Sequence, residues 1–455
     1  MSNLSKFFLS LFVISAFGLF TSCGDDEMTD GGGNEMMTST PSEDFAAYFE
    51  TANNTNANPG FTSAYMPMND LGDVCNTGAP TDITDYKGAI SPNGTPWYAG
   101  WSSYENILAG GGTRSFTVGN LVTITDNDLL EGDDEVFWTN DNTYILDGLV
   151  FVNEGQTLNI EAGTVIQGKS GEGANASALI IARGGTIMAI GTAAEPIVFT
   201  FEGDNGLTAP TERGRWGGLI VLGAASLNSD PGESAIEGID TNEARGLYGG
   251  DNDADNSGVI KYVSIRHGGT NIGADNEING LTLGGVGTGT TIDYVEVVAN
   301  KDDGIEWFGG TVNTKHMLSI FCADDGLDYD EGYRGVNQYI VVHQDPADAA
   351  ADRGGEHDGG TNPEEGTPYA TPIFTNVTSI GNAGSRAITF RDNAGGEYYN
   401  SIFFGYGKGI DVEDIDGQDQ DSFKQFQDGN LKLECNVFWN VAAGNTGTEL
   451  FTISN

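Results

Sequence analysis

Asp302-Asp-Gly-Ile-Glu-Trp-Phe-Gly-Gly310 returns, modified, as Asp324-Asp-Gly-Leu-Asp-Tyr-Asp-Glu-Gly332, an offset of 22 residues. Asp302 aligns with Asp324, Asp303 with Asp325, Glu306 with Asp328 and Gly310 with Gly332. A period of that length, with glycines and carboxylates held in register, predicts a solenoid. In a parallel β-helix each coil lies on the last at the strand spacing of roughly 4.8 Å. The aligned carboxylates then form a repulsive ladder, which solvent, raised pKa values, basic neighbours or a bound cation must relieve.

The pattern extends in both directions. Leu149-Val-Phe-Val-Asn-Glu-Gly155 leads to Leu158–Gly168, Leu179–Gly185 leads to Ile187–Gly191 and Ile197–Phe201, and Trp216–Gly223 follows. Each is a short apolar strand, a glycine corner and another strand. Further strands start at Tyr262, Tyr294, Met317, Tyr339, Phe374, Tyr399 and Leu431. The fold class read from this is all-β: a right-handed parallel β-helix over residues 116–455. Loops 202–215, 227–257, 344–372 and 411–430 project from it, where binding groups tend to reside. Of the alternating sets Val295/Val297 and Leu318/Ile320, one parity in each strand is expected inside. Residues 46–115, with Trp97, Trp101 and Tyr104, are expected to cap the N-terminal end of the solenoid. Packing explains those tryptophans better than sugar stacking does.

Residues 1–22 read as a targeting segment: Lys6 precedes an apolar run, Phe7–Phe20, too short to span a bilayer comfortably. Leu19-Phe-Thr-Ser-Cys23 is similar to a lipobox, which makes Cys23 the lipidated residue and the lipid the membrane anchor. Residues 23–45, with the acidic run Gly24-Asp-Asp-Glu27, read as a flexible tether.

The chain holds 19 basic and 66 acidic residues, a net charge of −47. Nucleic acid and anionic lipid surfaces repel such a protein, so neither is an expected partner. Beyond Cys23, three cysteines remain. Cys322 and Cys435 fall on strands four coils apart, too far for a disulfide, whereas Cys75 is free to reach a partner. The histidines at 267, 316, 343 and 357 are scattered, and no Cys/His spacing suits zinc.

Together, Gly148–Gly168 (GLVFVNEGQTLNIEAGTVIQG), Ala178–Thr200, Arg215–Gly223, Asn279–Asn313 and Arg353–Gly360 (RGGEHDGG) resemble a group of Bacteroidota surface lipoproteins with a pectin-lyase-like right-handed β-helix. The resemblance covers roughly residues 140–410 and implies fold and an outer-membrane, outward-facing location. It carries no established activity and no catalytic residues.

Two functions follow as expectations. One is a non-enzymatic binding or adhesion module for glycan or a partner protein. The other is a polysaccharide lyase or glycoside hydrolase. The nearest match to a hydrolase Gly-His-Gly motif, Arg266-His-Gly-Gly269, lies before the aspartate pairs, and fold alone assigns no chemistry. Calcium takes six to eight oxygen ligands. Asp302, Asp303, Glu306, Asp324, Asp325, Asp328 and Asp330 are the candidate set, with Glu356 and Asp358 as additional ligands. The competing role for these aspartates is to cap backbone amides at the corners. For the anchor, Cys23→Ala is expected to abolish labelling by a fatty-acid analogue and to release the protein from membranes. Unchanged labelling would remove the assignment.

Overall fold

The computed structural model describes residues 41–130, 133–273, 276–348, 351–360, 362–418 and 420–454. The targeting segment, Cys23 and most of the 23–45 tether lie outside the described residues. Among the described residues no helix is long and apolar enough to cross a membrane.

The chain winds into a right-handed parallel β-helix with three faces. The first face is a 10-stranded parallel sheet running from Leu149–Val152 through Leu281–Gly284, Ile305–Phe308, Leu327–Asp330 and Gly355–Asp358 to Phe451–Ser454. The second and third faces merge into a 16-stranded sheet. Strand Gly258–Arg266 shows how: its residues 258–261 pair with 187–190, and 263–265 pair with 197–199. Tyr262, between the halves, takes a left-handed φ of 50° and turns the corner alone. Tyr294, His316, Tyr339, Asn376, Asn400 and Cys435 do the same in later coils. Left-handed backbone is uncommon for non-glycine residues. Here the rings stack in register, Tyr262 on Tyr294 at 4.5 Å, Tyr294 on His316 at 4.2 Å and His316 on Tyr339 at 5.0 Å. The 22-residue register holds as read: Ile305 pairs with Leu327 and Glu306 with Asp328.

Ile305, Trp307, Val295, Val297 and Met317 face the lumen. Leu318 and Ile320 point outward, yet they too are fully buried. The expectation of one buried parity therefore needs correction, and the reason lies in the N-terminal region. Helix Pro41–Thr51 does not cap the N-terminal coil. It packs on the last one, where Phe45 stacks on Phe451 at 5.2 Å. Thr55 then bridges to Val437, and Cys75 forms a disulfide with Cys435. From there the chain runs back as a strap. Gly88 N–H donates to Asn400 O, Trp101 packs edge-on against Tyr262 and Tyr294, and Ser103 N–H donates to the buried Glu296 carboxylate. Only at Asn120–Ile124 does the chain enter the first coil, pairing with Asn142–Leu146. The strap covers Val298, Leu318, Ile320, Val341 and Ile380, an apolar outer row that water would otherwise meet. Region 46–115 is thus a strap anchored at the C-terminal end, and Trp97 and Trp101 are packing residues.

Trp101 is 1% exposed. Truncating a buried tryptophan costs about 3–5 kcal/mol. Trp101→Ala is therefore expected to open the strap to native-state proteolysis within residues 76–114, with the solenoid's β signal in circular dichroism retained. Unchanged protection would contradict the strap's dependence on this residue.

Candidate functional site: a carboxylate groove on the first face

Each coil ends a corner loop and begins its first-face strand at the same point, which brings the corner residues into a column. Asn279 Oδ1 accepts Asp303 N–H at 3.2 Å, Asp303 Oδ1 accepts Asp325 N–H at 2.9 Å, and Asp325 Oδ1 accepts Arg353 N–H at 2.6 Å. One oxygen of each aspartate therefore caps the next coil's amide, the corner role weighed against metal binding. The second column is the outward row of the strands. Thr282, Glu306, Asp328, Glu356 and Thr389 succeed one another in register.

Asn279, Asp303 and Asp325 of the first column and Glu306, Asp328 and Glu356 of the second line a groove of about 500 Å³, completed by Glu237, Glu277, Asp302, Asp324 and Arg391. Three overlapping triplets bring a carboxylate oxygen from each member within 4.8 Å of the others: Asp302/Asp303/Asp324, Asp303/Glu306/Asp328 and Asp324/Asp325/Asp352. Asp328 Oδ1 is shut off from solvent and meets no hydrogen-bond donor. Glu306 accepts from Asn279 Nδ2.

Repulsion along the ladder is relieved in two ways. Toward the C-terminal end arginines intervene. Arg353 Nη1 lies 3.0 Å from Glu356, 2.7 Å from Asp352 and 3.4 Å from Asp325. Arg391 grips both oxygens of Asp358 at 2.7 and 3.0 Å and reaches Glu356 at 2.9 Å. Toward the N-terminal end no arginine lines the groove among the described residues; Lys301 pairs with Glu277 at 2.9 Å, and the other carboxyls have raised pKa values instead. Burial, reinforced by Asp324, raises Asp302 to about 7, and burial with Asp302 beside it raises Glu237 to about 7. Burial and neighbouring acids push Asp303, Glu306, Asp325 and Asp328 well above the ordinary carboxylate range. Burial and Asp352 raise Asp324.

Of the residues singled out from sequence, Asp302, Asp303, Glu306, Asp324, Asp325 and Asp328 converge in the triplets, and Glu356 lines the groove as an arginine partner. Asp330 and Asp358 do not join them. Asp330 stands two strand positions beyond Asp328, in register with Phe308, and Asp358 is bound to Arg391. Both leave the ligand set for that reason. Sequence reading missed Glu237, Glu277, Asn279 and Asp352. Asn279 stands one coil before Asp303, but 24 residues away, so the 22-residue offset steps onto Leu281 and misses it. Glu237 arrives from the 227–257 loop and has no periodic signal. His267 is buried beneath Glu212 O and lies outside the groove lining. The other histidines are packing residues, His357 stacking on Tyr329 and bonding Tyr398, and His343 bonding Tyr104.

The model of the pectate-lyase-like beta helix domain family matches residues 130–454. The chain belongs to that family. No curated protein and no solved structure is matched by the chain. For this pectate-lyase-like β-helix the family establishes the fold that builds the groove, while the groove's chemistry comes from its own side chains.

The raised carboxyls fix the sign of a pH response. Their folded pKa values exceed the unfolded ones, so the native state binds extra protons between about 4 and about 7. Without divalent cations, the melting temperature is expected to fall as pH rises from 4 through 7, less steeply below about 6.5, where the buried His267, His343 and His357, with lowered pKa values, act in the opposite sense. Glu237→Gln with Asp302→Asn should flatten that slope. Melting curves at constant ionic strength test it, and a rise in stability across the window would refute the buried, protonated groove.

Proposed function

We propose that the groove is a divalent-cation site, with calcium as its best-fitting ion, and that the protein is a lipid-anchored outer-membrane surface protein that binds a glycan or partner protein through this face without turning it over. The carrying observation is the convergence of carboxylate oxygens within 4.8 Å in three overlapping triplets. Oxygens that share one calcium ion, each about 2.4 Å from the metal, are separated by no more than about twice that distance. The solvent-free, donorless Asp328 Oδ1 supports the same reading. A cation would displace protons from these carboxyls and remove the ladder's repulsion. The lipid anchor rests on Cys23 and its lipobox-like segment, and outward exposure on the acidic run that follows.

A lyase using an arginine base is disfavoured by the ion pairs. Arg353 and Arg391 are each held by two or more carboxylates, and that pairing raises their pKa values further. One observation favours the second reading, a glycoside hydrolase. Asp302 and Glu237, each held at about 7, suit a general acid. Against it, Glu237 belongs to none of the triplets, and the oxygens within them lie closer than the about 5–5.5 Å of retaining or 6.5–9.5 Å of inverting carboxylate pairs.

Millimolar calcium is expected to raise the melting temperature at pH 7.5 more than sodium chloride of equal ionic strength does. Asp303→Asn with Asp325→Asn should lose most of the difference. Equal effects of the two salts would leave the groove a solvated acidic face. Glycan-array binding in calcium, paired with assays for new reducing ends and unsaturated products, separates the readings. Product formation lost in Asp302→Asn would install the hydrolase in place of the binding module.

A further inference from the structure

The two ends of the solenoid are finished differently. At the C-terminal end, helix Pro41–Thr51 lays Phe45 and Phe49 over the last coil. At the N-terminal end one face of three is covered. Helix Asp126–Leu130 packs on Leu149–Val152, sends Leu129 into the lumen and uses Asp126 to accept Phe151 N–H. The other two faces end in strands Asn120–Ile124 and Glu135–Trp138. Each pairs along one edge, with Asn142–Leu146 and Thr157–Ile160, and its other edge meets no strand among the described residues.

Apolar side chains gather at this end. Leu121 and Phe137 are each 66% exposed, Leu130 is 52% exposed and Val118 44% exposed. Open edges with exposed apolar side chains are templates for another strand. Charge selects the strand. Residues 115–168 contain no lysine or arginine, and Asp133, Asp134 and Glu135 lead into one edge strand while Asp141 precedes the register partner of the other. A second copy meeting this end face to face would set these carboxylates against their own kind.

We propose that the open N-terminal edge, Asn120–Ile124 with Glu135–Trp138, is a docking site for an extended, basic polypeptide segment that adds a strand to the solenoid. Its backbone would complete the ladder. Lysine or arginine on the outward side would lay their stems across the exposed Leu121 and Phe137 and reach Glu135 and the neighbouring Asp133, Asp134 and Asp141, while apolar residues on the inward side would continue the lumen over Val122, Ile124 and Val136. Strand addition draws affinity from main-chain hydrogen bonds and specificity from alternate side chains. The site lies outside the carboxylate groove and does not depend on the function proposed there.

The probe is a short labelled peptide alternating lysine with valine, titrated against the intact protein by fluorescence anisotropy. Three outcomes are expected: saturable binding that weakens with salt, a loss of about tenfold or more in Leu121→Lys with Phe137→Lys, and failure of the peptide when the edge-facing set of alternate amides is N-methylated. Both substituted residues are exposed, so the fold should survive, and circular dichroism checks it. Because a chain of charge −47 attracts any polycation, undiminished binding of the peptides methylated on either alternate set of amides would mean adsorption only and overturn the proposal. So would undiminished binding by the double variant or absence of binding. Concentration-dependent dimerisation abolished by the same double variant would give the edge to a second copy and overturn it as well.

Discussion

In a parallel coil held in register, every side chain stands over its counterpart one coil away, at the spacing the backbone ladder dictates. That constraint governs this protein. Stacked like with like, apolar residues become a lumen and rings become a column. Carboxylates become a problem that must be solved locally. Here they are solved by proton retention at one end of the groove and by arginine at the other. The groove is thus graded along its length: rich in carboxyls with raised pKa values near Glu237 and Asp302, zwitterionic near Glu356 and Arg391.

The same constraint explains what the sequence made legible. The repeat at Asp302 and Asp324 carried its register into the structure because hydrogen bonding between coils admits no gradual slippage. Asp303 and Asp325 land in one column for that reason. Asp330 and Asp358 were misplaced because each stands two strand positions beyond the carboxylate column, near enough to act on Asp328 but outside the triplets, and Asp358 is taken by Arg391. Glu237 was invisible because a loop has no period. The direction of residues 46–115 was equally hidden. Aromatic residues announce that they pack, without saying against which coil, and only the long-range pairs Thr55–Val437 and Cys75–Cys435 decide it.

Covering the outer row also reassigns the chemistry of the sheet. Glu296, fully buried between Ser103 N–H, Ser264 and Arg266, would be a surface carboxylate on an uncovered solenoid. Under the strap it becomes a joint between two layers. The groove lies on the first face, where Glu237 of the 227–257 loop and Glu356 of the 344–372 segment join its lining.

The strap has a thermodynamic meaning of its own. An ordinary solenoid is close to a one-dimensional chain of nearest-neighbour couplings, free to fray from either end and to melt in segments. Here a single ribbon touches the last coil at Val437, the middle coils at Thr378 and Glu296, and then becomes the first coil itself. Every coil it crosses is coupled to every other through one continuous element. Loss of the terminal coil releases the ribbon's anchor, and loss of the ribbon bares the middle. The repeat array is thereby converted from a stack of separable units into one cooperative body, closed on itself by contacts between residues more than 300 positions apart.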